Sequence, residues 1–333
     1  MGNHLSQMIG QFLGRRQNAW GGPQSQSSSA KPSILQQQFL QPVGTVNNAD
    51  NMQLNYIFCG SGSVEQLMPE RLNLTVMMLN RGEQWRALNE RLGSCTQSGG
   101  DGRLLVVVRG TPKDKPDLFA YRCGIIDLKK FDTDTGWQFM GPLEWPSGSS
   151  DLNALIATIR PNLGINGSCS LLSFNDRVKD LGKSICFSHS IDEPEISKAG
   201  EALVYRWLEY FATEWPRPPA GRLVVAFLCI RATAEAGSPE PDLHTRIAEK
   251  YTSNNCPIFV LPPLGLIKRH EVLTWTSVVR ENLGEECAAG VMLDAEDIFD
   301  RINEWRFDDL SKRLRPIIGG TIHPHSQLNA HRE

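Results

Sequence analysis

The sequence predicts an α/β fold of three layers, in which helices cover both faces of a parallel sheet. Three apolar runs carry that expectation: Leu104 to Val108, Leu223 to Ile230 and Pro257 to Leu261. None alternates apolar with polar residues, so each reads as a strand buried on both faces. Segments with apolar residues at helical spacing separate the runs, and strands alternating with helices pair in parallel.

Length and composition leave room for this fold and narrow what it does. With 333 residues, 40% of them hydrophobic, the chain can bury one large core or two ordinary ones. Its 34 basic and 37 acidic residues leave a net charge of −3, too near neutral to point to a nucleic-acid partner. Eight cysteines are scattered with no C-x-x-C pair and no histidine at zinc-finger spacing. That usage predicts reduced, buried thiols and a cytoplasmic protein. No stretch approaches the ~20 apolar residues of a membrane span. One address signal is present: Met1-Gly2-Asn3-His4-Leu5-Ser6 fits the pattern for N-myristoylation at Gly2, with Arg15 and Arg16 behind it. The pattern has meaning in a eukaryotic source, and without the lipid no membrane partner is expected.

Residues 1–50 are rich in Gln, Ser, Asn, Gly and Pro and predict a disordered arm. Residues 51–73 form a short lead-in, with a strand-like Met52 to Cys59 and a turn at Gly60-Ser61-Gly62-Ser63. No third glycine follows there at the spacing of a dinucleotide site. Residues 74–318 make the α/β domain, and 319–333 a flexible tail. Val64 to Leu79 reads as partly helical. Asn80 and Glu83 then give a capping-box pattern ahead of a helix whose apolar stripe is Trp85, Leu88 and Leu92. Beyond the first core strand, Leu118 to Leu128 reads as helix or helix-to-strand, and Asp132 to Ser150 as an irregular insert. Leu152 to Leu163 reads as helix, and Ser168 to Phe174 and Lys183 to His189 as strands. A helix runs from Glu193 to Trp215 and another from Leu243 to Tyr251. Val272 to Asn282 and Ala295 to Arg306 close the domain as helices.

The sharpest chemical signal is a phosphate loop without its chemistry. The strand Leu104 to Val108 ends in Arg109-Gly110-Thr111-Pro112-Lys113-Asp114-Lys115-Pro116-Asp117, and a helical stretch follows. Strand, glycine loop, helix is the setting in which backbone N–H groups cradle phosphates. A working Walker A loop needs a second glycine, then Lys, then Ser or Thr. Counted from Gly110, those places hold Lys115, Pro116 and Asp117. The strand taken for the Walker B role ends in Ile230-Arg231, where a carboxylate belongs. The expected type is therefore a P-loop NTPase-like sheet whose nucleotide motifs have decayed.

Three segments resemble the inactive STAND family, relatives of signal-transduction P-loop ATPases. Leu79-Asn80-Arg81-Gly82-Glu83-Gln84-Trp85 is similar to the family's entry motif, and Val106 to Gly110 with Leu118-Phe119 to its worn phosphate loop. Phe227 to Ile230, Leu261-Pro262-Pro263-Leu264 and Trp275 resemble its late strands and Leu-Pro-x-Leu element. His189 and the helix ending Glu214-Trp215-Pro216 fall where the family has comparable features. The likeness covers roughly Leu74 to Ile318. It implies a bacterial signalling or conflict-system module, usually joined to adaptor or effector domains.

Other candidates have plainer readings beside them. Gly110, Lys113 and Lys115 make a possible anion site, against a solvated turn with both lysines in water. Arg81, Gln84 and Trp85 are possible interaction residues, against a Trp85 that packs in the core. Cys186 and His189 are three apart on a strand and point to opposite faces, which leaves no nucleophile-base pair. Asp297, Asp300 and Glu304 read as a solvated helix face. His323, His325 and His331 lie in the tail.

The function expected from all this is a non-catalytic NTPase-like scaffold or sensor in a signalling or defence system. It acts through protein partners, effector or adaptor modules, with no catalytic residue, cofactor or metal. The alternatives are an active nucleotide-dependent enzyme with an atypical phosphate loop, and a myristoylated membrane-tethered adaptor.

Overall fold

Leu104, Val106 and Val108 pack to one side of strand β1 (Arg103–Gly110), Leu105 and Val107 to the other, and all five are buried. Each such side chain contributes about 1.5–3 kcal/mol to the core. This two-sided burial comes from a five-stranded parallel sheet in the order β2-β3-β4-β1-β5, completed by β2 (Trp137–Leu143), β3 (Ser184–Asp192), β4 (Val224–Arg231) and β5 (Ile258–Val260). Helices cover both faces, giving the three-layer α/β architecture with a parallel sheet that the sequence predicts. The computed structural model describes residues 73–322, apart from 74, 80, 97–99, 132–136, 147, 166, 168–169, 181, 234–240 and 252–255. The expectations for the N-terminal arm, Met52 to Cys59, Asn80 and the tail histidines lie outside the described residues.

Helices α1 (Gly82–Thr96) and α2 (Pro116–Arg122) cover one face through Leu88, Leu92, Phe119 and Ala120. The other face carries α3 (Leu152–Ile159), α4 (Leu171–Lys179), α5 (Lys198–Thr213) and α6 (Leu243–Lys250). Side-chain caps start all four: Asp151, Ser170, Ser197 and Asp242 each accept from a backbone N–H two or three residues on. Under α5 the rings of Phe187, Trp207, Phe211 and Trp215 pack with centroids 5.5–6.2 Å apart.

Beyond β5 the chain builds a three-helix unit, α7 (Arg269–Leu283), α8 (Glu285–Phe299) and α9 (Phe307–Ile322). It has its own core, to which Val76 and Leu79 contribute, and the Trp275 indole donates to Thr75 O at 2.8 Å. A two-strand ribbon, β6 (Ile267–Lys268) and β7 (Glu304–Trp305), joins the entry of the unit to the foot of α9. Among the described residues no helix is long and apolar enough to cross a membrane.

Several expectations need correction. The strand expected over Ser168 to Phe174 is a helix where the structure describes it, from 170: Ser170 caps α4, and Phe174 and Val178 supply a one-turn apolar stripe. The insert Asp132 to Ser150 contains edge strand β2, whose Gly141 and Pro142 mark a register shift. Proline is tolerated in an edge strand at such an irregularity of the ladder. The helix expected over Ala295 to Arg306 is instead α8, which starts ten residues earlier and ends at Phe299. Its buried stripe of Cys287, Ala288, Val291 and Ala295 is made of small residues that contrast weakly with their neighbours. Asp297 and Asp300 are exposed, but Glu304 belongs to β7 and does not share their helix. Helix α9 continues past the expected tail boundary at 319.

Candidate functional site

The loop after β1 keeps the bend of a phosphate loop. Thr111 is extended, Pro112–Asp114 make a 3-10 turn, and Lys115 turns the chain at φ 53 and ψ 60 before α2 begins at Pro116. Lys115 is the one described non-glycine residue with positive φ. It supplies the left-handed step that a second glycine would supply, at a cost of about 1–2 kcal/mol. Gly110 is required for packing: a Cβ there would lie 3.0 Å from the Asp114 Cβ and 3.3 Å from the Leu264 Cβ.

What fills the loop is Asp114, whose side chain has no exposed surface. Its Oδ2 accepts from the Thr111 N–H at 2.9 Å, the Thr111 hydroxyl at 2.8 Å and Arg306 at 2.8 Å. Its Oδ1 lies 3.9 Å from Arg81 Nη2 and accepts no hydrogen bond. The enclosed space beside it, bordered by Arg81, Lys115, Arg122 and Phe307, measures about 10 Å³. That is the size of about one water.

The segments around Arg81 and Leu264 both bond to this loop and its strand. Arg81 donates to Asp114 O at 3.2 Å and to Gly265 O, and Gln84 donates to Pro263 O at 2.9 Å. Leu264 N donates to Arg109 O at 2.7 Å. Burial is the larger influence on the Arg81 guanidinium and, despite nearby Asp114, lowers its pKa to about 10. Arg81 and Gln84, expected as possible interaction residues, are both buried and bonded inside the fold. Trp85 is partly buried against the core under α1. Lys113 and Lys115 do not simply face water. Lys113, 61% exposed, pairs with Asp309 at 3.0 Å, and Lys115, 26% exposed, lies 3.9 Å from Asp308.

A second cluster sits at the same end of the sheet. Arg231, the last residue of β4, stands 3.5 Å from Asp117 and 3.2 Å from Asp192. Burial opposes its charge, but the two carboxylates outweigh it and raise its pKa. Asp192 ends β3, and Glu193 follows it. Sequence reasoning looked for a terminal acidic pair only on β4 and missed this one. The signal was available, because Asp192-Glu193 directly follows an apolar strand. Both carboxylates have internal partners: Glu193 accepts from the Leu243 N–H at the start of α6, at 2.7 Å.

Cys186 and His189 do face opposite sides, in different core clusters. His189 Nε2 lies 3.1 Å from the Thr158 hydroxyl, and burial pulls its pKa down to about 3. Among the described residues no group of acidic, histidine or cysteine side chains is arranged to hold a metal. Gly2 lies outside the described residues.

No protein-family model and no curated protein matches the chain. Solved structures do. The chain is similar to the RuvB Holliday junction branch migration motor of Thermotoga maritima (11% identity, 72% of this chain, 70% of that one, TM-score 0.31). It is also similar to the ORC2 protein of Aeropyrum pernix in its ADP form (14%, 71% and 68%, 0.37). A third similarity is to a chain of the HORMA:CdnC:Trip13 complex of E. coli MS115-1 (12%, 78% and 82%, 0.38).

Proposed function

We propose that the chain is a non-catalytic NTPase-like module that works by protein–protein contact, as scaffold or sensor, in a signalling or defence system. The observation that carries this reading is the double occupation of the loop: Asp114 lies where an anion would be cradled, and Arg231 bridges Asp117 and Asp192 where a metal would be held. Phosphoryl transfer is catalysed by positioning and charge stabilisation, and needs loop lysine, metal-binding hydroxyl and acidic residue together. Pro116 and Asp117 supply neither of the first two. The assignment to a signalling or conflict system, with effector or adaptor modules as partners, rests on the three motif segments.

Asp192 and Glu193 favour a second reading, an active nucleotide-dependent enzyme with an atypical loop, because they give the sheet the acidic pair that turnover needs. Hydrolysis by the purified chain separates the two. The scaffold reading expects no Mg²⁺-dependent release of phosphate from ATP or GTP above background, with and without Lys113→Ala plus Lys115→Ala. Turnover that disappears in the double variant promotes the enzyme.

A further inference from the structure

The phosphate-type loop and α9 exchange charge in both directions. Loop residue Asp114 accepts from Arg306, the residue before α9, while Lys113 and Lys115 reach Asp309 and Asp308 in its first turn. Arg81 adds a third link, lying near Asp114 with its guanidinium 5.6 Å from the ring centre of Phe307. Around the Asp114 carboxylate stand two arginines, a backbone N–H and a hydroxyl. That is the donor set of a site for a tetrahedral oxyanion, and charge-assisted donors of this kind bind the strongest. A carboxylate fills it incompletely. Oδ2 takes three donors, whereas Oδ1, fully buried and facing the small space lined by Arg81, Lys115 and Arg122, takes none.

The geometry points to Asp114 as an internal oxyanion that occupies an otherwise competent phosphate cradle and, through Arg306, latches the three-helix unit onto the sheet. No ligand is needed to hold the unit in place, and none can enter while the carboxylate is there. Removing one partner of a buried ion pair is costly, and without Asp114 the two arginines lose the carboxylate that stands between them. A free phosphate ion then supplies the missing charge, and binding to the folded state alone stabilises it by mass action. The inference goes beyond the non-catalytic reading, and its test reads occupancy of the cradle rather than turnover, so the two fail separately.

The experiment uses the full chain with Asp114→Ala, in sodium phosphate and in sodium chloride of equal ionic strength. Thermal unfolding is followed together with hydrogen exchange of α7, α8 and α9. The variant is expected to melt about 6–12 °C lower, with faster exchange in α9. Phosphate, but not chloride, recovers at least half of the loss and leaves the wild type nearly unmoved. Asp114→Asn, which keeps the shape and loses the charge, still fills the cradle; it is expected to show the faster exchange in α9 but no recovery by phosphate, and Asp114→Gly replaces the alanine variant if that chain does not fold. Equal stabilisation of wild type and variant by phosphate overturns the inference. So does wild-type exchange in α9 of the variants, or an emptied cradle (Asp114→Ala or Asp114→Gly) that phosphate does not stabilise.

Discussion

Arg231 and Asp192 are register partners on β4 and β3, and their side chains meet at 3.2 Å, with Asp117 of α2 3.5 Å from the same guanidinium. One fixed cation thereby neutralises two carboxylates on the loop end of the sheet. Arg231→Ala is expected to cost about 1 kcal/mol in urea unfolding, because all three groups keep some solvent. Millimolar Mg²⁺ should restore part of that loss in the variant and none in the wild type. A variant indifferent to Mg²⁺ would show that the two carboxylates do not converge on a common ion.

Lys115 holds a left-handed conformation that few side chains adopt. Lys115→Gly relieves the strain but frees the unfolded chain, so stability should stay within about 0.5 kcal/mol of wild type. Lys115→Val, β-branched, should lose about 1–2 kcal/mol by the same measurement. Equal stability of the two variants would mean that the loop is not held in this bend.

His189 sets a pH dependence. Burial depresses its folded pKa to about 3, against 6.5 for the free side chain. Below pH 6.5 the unfolded chain takes up a proton that the folded chain refuses until pH 3. Stability therefore falls with pH across that window, by about 1.4 kcal/mol per unit from this group. His189→Leu should reduce the slope of unfolding free energy between pH 6 and 4. A remainder is expected from His244, which burial also depresses. An unchanged slope in the variant would rule His189 out as its source.

Thiol chemistry should sort by burial. Burial raises the thiol pKa of Cys123, Cys186 and Cys229 well above the ordinary value, whereas Cys256 is only half-buried. Alkylation of the native chain, read by peptide mapping, should modify Cys256 before those three. Labelling of Cys186 at the rate of Cys256 would contradict the buried strand.

The sheet was legible because the runs that became β1, β4 and β5 are apolar without polar alternation, a pattern that fits strands covered on both faces. Edge strand β2 was not, since an edge tolerates the Gly141-Pro142 pair that reads as a loop. Helix α8 was blurred by alanines and glycine, whose small size leaves little contrast between faces. At the loop, the sequence showed which Walker A residue types do not follow Gly110. It did not show what stands there instead: partners of Asp114 and Arg231 come from β3, the residue before α1 and the foot of α9, distant in sequence. Isolated charges carry no mark of the partner that folding brings to them.

The strand order has a consequence for synthesis. β1 is among the first elements to leave the ribosome, yet its two neighbours in the sheet are β4 and β5, the last strands to join it. Until those segments emerge, the apolar run Leu104 to Val108 has neither of its edges paired. Such a nascent chain offers a sticky, unfinished edge for much of its translation, the kind of segment that chaperones bind. Truncations ending before Val224 should accordingly aggregate rather than fold, however complete the helices they carry.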